Sequence, residues 1–218
     1  MTDQTFADAD EVAHDAAFPE TVEAIRTRRS GHNFDPDEDV SEETLRELVR
    51  DATYAPSAFN LQPWEFIAVR DDERLDRLVE LAYGQEHLRD AGTGVVVTGH
   101  TTPERNAERV YREWAEAGRI TEEDAEERIE QAMESEPDRE FAVRNASLAT
   151  ENFLLSAHAR GLKATPMGGV DFDGVAEFLD IPDDQVPVVL IAVGPSGGEE
   201  VERLPRRGVD EVLHVDEY

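Results

Sequence analysis

Three short stretches of this chain carry residue types that could do chemistry. Arg28-Arg29-Ser30 sets two guanidinium groups beside a hydroxyl, in a chain with 51 acidic residues against 21 basic ones. Guanidinium forks take a phosphate bidentately and the hydroxyl adds a donor, so one reading is an anion site. The other is a helix C-terminus whose dipole is offset by arginine, worth about 0.3–1 kcal/mol. These residues alone do not choose between the two. Ala55-Pro56-Ser57-Ala58-Phe59-Asn60-Leu61-Gln62-Pro63-Trp64 places Ser, Asn and Gln on a loop stiffened by two prolines. Fixed polar groups on a loop can orient a flat heterocycle, or can simply satisfy their own turns. Thr165-Pro166-Met167-Gly168-Gly169 lets backbone pass close to a ligand, although a double glycine after proline is by itself more often a tight turn. Leu204-Pro205-Arg206-Arg207 is a weaker fourth case, arginines where a phosphate could be met.

Other chemistries are absent from the pattern. The six histidines (His14, His32, His87, His100, His158, His214) have no metal-ligand spacing, and neither a G-x-S-x-G elbow nor a P-loop occurs. Gly92-x-Gly94 precedes its strand instead of following it, which argues against a dinucleotide fingerprint. With no cysteine, disulfides, thiolate metal sites and cysteine nucleophiles are excluded.

The net charge of -30 disfavours nucleic acid and anionic membrane surfaces, both of which need clustered positive charge. No apolar run reaches the roughly 18 residues of a membrane span, and the acidic N-terminus lacks the features of a signal peptide. Lys163 is the only lysine. So many carboxylates with so little lysine suit a salt-rich cytoplasm, where a Debye length of about 3 Å at 1 M salt screens self-repulsion.

The elements that must position these stretches follow from periodicity. Residues 1–19 read as an acidic arm and 20–218 as one domain. A helical pattern runs from Pro19 to the Arg28 segment, and Ser41 caps a helix carrying Leu45, Leu48, Val49 and Ala52 on one face. Trp64–Val69 and Val95–Thr98 read as buried strands, with a helix over 71–83 between them. Residues 103–138 form a charged helical excursion lying over the body, with Thr121 capping its second helix. Arg139–Arg160 is a buried central helix ended by Gly161. A short helix over 172–179, a strand over 186–193 and a last apolar strand over 209–215 complete the chain. The class is α+β, a sheet covered by helices on both faces.

Taken in order, R-R-S-x-x-x-F, A-P-S-A-F-N-L-Q-P-W, a central helix ending A-x-x-x-G-L, P-M-G-G and an arginine before a closing strand make a chain that resembles the FMN-dependent nitroreductase family. The likeness runs over about residues 20–215. It implies a three-layer α/β/α sandwich with a mixed central sheet, in an interlocked homodimer with FMN at the subunit interface. It implies that Arg28, Arg29 and Ser30 hold the FMN phosphate and ribityl chain, with Arg206 completing the phosphate site. Pro56, Ser57, Ala58 and Asn60 would come from the partner subunit, with Gln62 of the same loop also a cofactor contact. Gln85 would reach the flavin ring, and the loop of Pro166, Met167, Gly168 and Gly169 would put a backbone N–H, that of Gly168, near flavin N5. Hydride would pass from NAD(P)H through N5 to a small organic acceptor (nitroaromatic, quinone or enone) by a ping-pong route. No side-chain acid or base is required for the first half. Tyr111 and Trp114 of the excursion, with Phe59, are the candidates for acceptor contact.

The chain departs from the family pattern at His32 and Leu204, where basic residues are usual, with Arg203 or Arg207 as substitutes at the second. It departs again at Phe59, where a small residue is common. Alternatives are other flavin chemistry such as reductive dehalogenation, a flavin-binding or interaction module without turnover, and a divalent-cation structural protein.

Overall fold

The protein is described here by a computed structural model covering residues 17–102, 104–198 and 202–218. Four strands, β1 (Trp64–Val69), β2 (Gly94–His100), β3 (Leu162–Met167) and β4 (Gln185–Pro195), form one sheet in the order β1-β2-β4-β3. Helices α1 (Pro19–Thr27) and α2 (Glu42–Ala52) precede the sheet. The chain passes from β1 to β2 through α3 (Asp72–Leu81) and α4 (His87–Asp90). It then runs through α5 (Glu104–Glu116), α6 (Glu122–Met133) and α7 (Arg139–Ala159) to β3, and through α8 (Phe172–Phe178) to β4.

Two cores sandwich the sheet. On one face Val95, Val97, Ile191 and Val193 meet Leu45 and Leu48 of α2 and Ala146, Ala149, Phe153 and Ala157 of α7. On the other, Val96, Leu190 and Ala192 meet Leu75 and Leu78 of α3, Leu88 of α4 and Val175 of α8. Every residue of β2 is therefore buried, which is why Val95, Val96 and Val97 follow one another without alternation. The result is the expected three-layer α/β/α arrangement. Helix starts follow their caps: Ser41 Oγ accepts from Thr44 N at 3.0 Å, Asp71 and Asp138 cap α3 and α7, and Thr121 with Asp124 forms a capping box.

Helix α7 is long, 21 residues or about 31 Å, and its buried positions are mostly small. Ala142, Ala146, Ala149 and Ala157 recur at helical spacing and let the helix press onto the sheet. The approach is closest at Gly99 of β2, where a Cβ would stand 2.6 Å from the Ala142 carbonyl oxygen.

Four features differ from the sequence expectation. Among the described residues all three strand pairings are antiparallel, so the sheet is not mixed; the β1–β2 and β3–β4 connections join antiparallel neighbours, while α5, α6 and α7 carry the chain from β2 to β3 at the edge beyond β4. Residues 162–167 form strand β3, where Pro166 and the glycines suggested a loop. An edge strand tolerates proline because its outward side has no ladder to join. The last apolar stretch is not a strand: a single 3-10 turn covers Val209–Glu211, and Val209, Val212, Leu213 and Val215 are exposed and, among the described residues, pair with no strand. The excursion also has a small core of its own, Leu61, Ala107, Val110, Tyr111, Ala125 and Ala132. Of the expected N-terminal arm, residues 1–16 lie outside the described residues, and α1 already begins at Pro19. Among the described residues no helix is long and apolar enough to cross a membrane.

The Gly99 contact is directly testable. Gly99→Ala must push α7 off the sheet by a few tenths of an ångström or more, and should cost about 1–3 kcal/mol in a denaturant titration. A variant as stable as the parent would show that the helix rides more loosely than described.

Candidate cofactor site

Helix α1 ends at Thr27, and Arg28 leaves it in an extended conformation (φ -51, ψ 134). Alternation along such a backbone sends Arg28 and Ser30 one way and Arg29 and Gly31 the other. Arg28 Nη1 donates to Ser30 Oγ at 3.3 Å. Arg29 Nη1 turns back to the carbonyls of Arg26, Thr27 and Arg28 at 3.0, 2.7 and 3.2 Å. Arg29 is thus the arginine that closes the helix C-terminus, while Arg28 and Ser30 stand together on the other side.

Arg203 joins this group from the C-terminal segment. Its Nη2 donates to the Arg28 carbonyl at 2.8 Å and to that of Arg26. Burial first, and then the charges of Arg29, Arg206 and Arg28, pull the Arg203 guanidinium below its ordinary range. Four arginines therefore feel one another. Among the described residues the Glu151 carboxylate, 3.9 Å from Arg28 Nε, is the only one in ion-pair contact with any of them. Arg207, by contrast, bonds the Glu211 carbonyl at 2.7 Å and lies 3.7 Å from its carboxylate, away from the cluster. The sole lysine belongs here too, which sequence reading missed although its rarity was a signal. Lys163 is 8% exposed, lies along Gly31 and donates to the Asn33 carbonyl at 3.1 Å. It lines a cavity of about 90 Å³ with Arg29, whose Nε is buried without a hydrogen-bond partner among the described residues.

The Pro56–Gln62 loop is held in an unusual shape. Phe59, Asn60 and Gln62 have φ of 51, 58 and 48°, values that cost non-glycine residues energy and cluster at functional sites. Two of its anchors come from far along the chain and one from within the loop. Ala58 N donates to Asn145 Oδ1 of α7 at 2.8 Å, Asn106 of α5 donates to the Leu61 carbonyl at 2.9 Å, and Gln62 N donates to Ser57 Oγ at 2.9 Å. Pro56 and Asn60 stay exposed. Among the described residues no hydrogen bond or ion pair joins this loop to residues 28–32 or 166–169.

Gln85 and the Pro166–Gly169 segment do come together: Gln85 Nε2 donates to the Gly169 carbonyl at 3.0 Å. Met167 is buried in the core and offers only backbone. Gly168 is exposed, has no positive φ, and would meet nothing within 4 Å if given a Cβ. The chain's own packing does not call for glycine there, but a group lying on that backbone would. Beside this segment His32 stacks on His87, ring centroids 4.0 Å apart at 9°, with Phe34 beyond it at 6.4 Å.

Tyr111 and Trp114 pack edge to face, centroids 5.8 Å apart. Tyr111 is 5% exposed, and Trp114 is half-buried against the excursion core. Tyr111 and Phe59 line a common pocket with Arg128 and Phe141. Among the described residues no group of three or more His, Asp or Glu is placed to hold a metal ion.

Burial, followed by the charge of His32, holds the His87 imidazole below its ordinary 6.5, while Asp90 pulls it the other way. The unfolded chain therefore takes up this proton first as pH falls through about 6.5, and the folded state loses stability there; above that range the group contributes nothing. His87→Phe keeps a ring on His32 and removes the titration. It should flatten the fall in melting temperature between about pH 7 and pH 5; an unchanged acid slope would contradict the assignment.

Comparison with known proteins fits this geometry. The Nitroreductase family model matches residues 25–195. The chain is 34% identical over 191 residues to YodC of Bacillus subtilis, named an NAD(P)H nitroreductase, covering 85% of this chain and 95% of that protein. The crystal structure of the nitroreductase YdfN from B. subtilis superposes with a TM-score of 0.82 at 28% identity, covering 89% of this chain and 98% of that one. A nitroreductase from Exiguobacterium sibiricum, solved in complex with FMN, gives a TM-score of 0.74 at 25% identity over 98% and 99% of the two chains. The chain belongs to the Nitroreductase family, a family of oxidoreductases.

Proposed function

We propose that this protein is an FMN-dependent oxidoreductase that takes hydride from NAD(P)H and reduces a small organic acceptor, working as a homodimer. The observation that carries the reading is the arginine cluster: Arg28, Arg29, Arg203 and Arg206 share one field with, among the described residues, a single carboxylate contact, in a chain of net charge -30. Like charges gathered in a sea of acids raise the energy of the empty site, and a phosphate lowers it. The open backbone at Gly168 and the Gln85 amide beside it fit a flat ring system, and a solved relative binds FMN.

When bound, FMN supplies the two-electron chemistry between NAD(P)H and acceptor. Arg28, Ser30 and Arg206 hold its phosphate and ribityl end, and His32 occupies the neighbouring position where its stack on His87 limits its reach. The Gly168 N–H and the Gln85 side chain orient the ring. Arg29 and Arg203 act behind the site, fixing the end of α1 so that Arg28 faces outward. The strained loop of Pro56, Ser57, Ala58, Asn60 and Gln62 completes the site from the partner subunit. That no hydrogen bond or ion pair among the described residues joins it to residues 28–32 supports that assignment. So do the exposed Val209, Val212, Leu213 and Val215, a patch suited to cover by a second chain. Donor and acceptor use one place in turn, giving ping-pong kinetics; the acidic, lysine-poor composition supports a cytoplasmic enzyme adapted to high salt.

Arg28→Ala should weaken FMN binding by about 1.5–3 kcal/mol in a fluorescence titration of the apoprotein. An unchanged dissociation constant would remove the phosphate-site assignment. Raising salt from about 0.1 M to about 1 M shrinks the Debye length from about 10 Å to about 3 Å and should raise the melting temperature. Insensitivity to salt would contradict the role given to self-repulsion.

A further inference from the structure

We propose that the pocket between the excursion and the Phe59 loop binds a single-ring aromatic carboxylate, with Arg128 as the residue that selects for its negative charge. Phe59, Leu61, Tyr111 and Phe141 line the pocket, with Arg128 at its polar side, and its volume is about 190 Å³. About 150 Å³ is enough to hold one benzene ring in an apolar site, so there is room for a ring with one or two substituents and not for a fused system.

Arg128 is the odd member of its surroundings. Helix α6 carries six acids in twelve residues, yet among the described residues none is in ion-pair contact with Arg128. The acid one turn before it, Asp124, is committed to the helix cap, accepting from Thr121 N at 3.0 Å and Thr121 Oγ1 at 2.7 Å. Glu127 accepts from Gln131 at 3.0 Å. The Arg128 guanidinium instead lies over the Tyr111 ring, 5.8 Å from its centre. Part of its N–H edge meets the Tyr111 hydroxyl, and the donors that remain on the planar fork are available to a carboxylate. Burial pushes the Tyr111 phenol up, a sign that this wall of the pocket is dry, where a charge-assisted bond is strongest. Phe59 closes another side from its φ of 51°, still 58% exposed, so a ring can enter against it.

That the bound ring is also the hydride acceptor rests on the flavin-reductase reading: the Phe59 loop is the segment assigned there to the partner's flavin. The binding itself does not. Calorimetry on the purified dimer loaded with FMN, using benzoate and benzamide as probes, separates the two. Benzoate should bind about tenfold or more tightly than benzamide. Arg128→Gln should remove that preference without changing FMN content, and Arg128→Lys should keep part of it. Phe59→Ala should weaken both probes alike. In turnover, kcat/KM for 4-nitrobenzoate over 4-nitrobenzamide should fall toward unity in Arg128→Gln. Equal binding of the two probes, or a preference that survives Arg128→Gln, would overturn the proposal even if both nitro compounds are reduced. Arg128-dependent benzoate binding with no NAD(P)H-dependent reduction would uphold the pocket and sink the reductase reading instead.

Discussion

Small residues along α7 let that helix lie against the sheet at backbone distance, and the site inherits its geometry from this contact. Gly99 and Ala142 set the spacing. From that seat Asn145 reaches Ala58 and pins the strained loop. Ser156 Oγ donates to Asp51 at 2.6 Å and ties α2 to the same helix. Glu151 faces Arg28, and Phe141 closes the excursion core. One rigid rod thus carries anchors for the loop, the arginine cluster and the excursion. Holding a loop in sparsely populated backbone conformations requires such over-determination by its surroundings.

Charge explains the division of labour among the arginines. In a chain so acidic, several guanidinium groups are consumed by surface pairs at helical spacing, such as Arg46 with Glu42 and Arg109 with Glu113. These contribute little individually. The arginines near α1 escape this pairing because backbone carbonyls hold them: Arg29 and Arg203 are fixed on the end of the helix. Their charge is then spent as field and not as ion pairs, and in the proposed function that field is what would attract a phosphate.

Much of this was legible in the sequence where signals are local. The capped helices and the strands at Trp64–Val69 and 186–193 declare themselves through periodicity and length, although β1 is buried only at Trp64 and Val69 and not throughout as expected. The Ala55–Trp64 string declares its loop through two prolines. Strand β3 was hidden because Pro166 and two glycines read as breakers, and only its place at the sheet edge makes proline harmless there. Val209–Val215 has the apolar content of a strand, but a strand needs a neighbour, and no local pattern shows whether one exists. Of the candidate site, Arg28-Arg29-Ser30 was visible as a motif, yet which arginine caps the helix depends on the direction of the backbone after Thr27. Lys163, His87, Asn145 and Asn106 act across long sequence separations, so no local signal could place them.

The central claim is tested most directly by a visible absorption spectrum of the purified protein, recorded anaerobically before and after adding NADH or NADPH. The account predicts a bound FMN spectrum that bleaches within seconds with at least one of the two donors and returns when a quinone is added. A colourless protein that takes up no added FMN, or a bound flavin that stays oxidised with both donors, would contradict it.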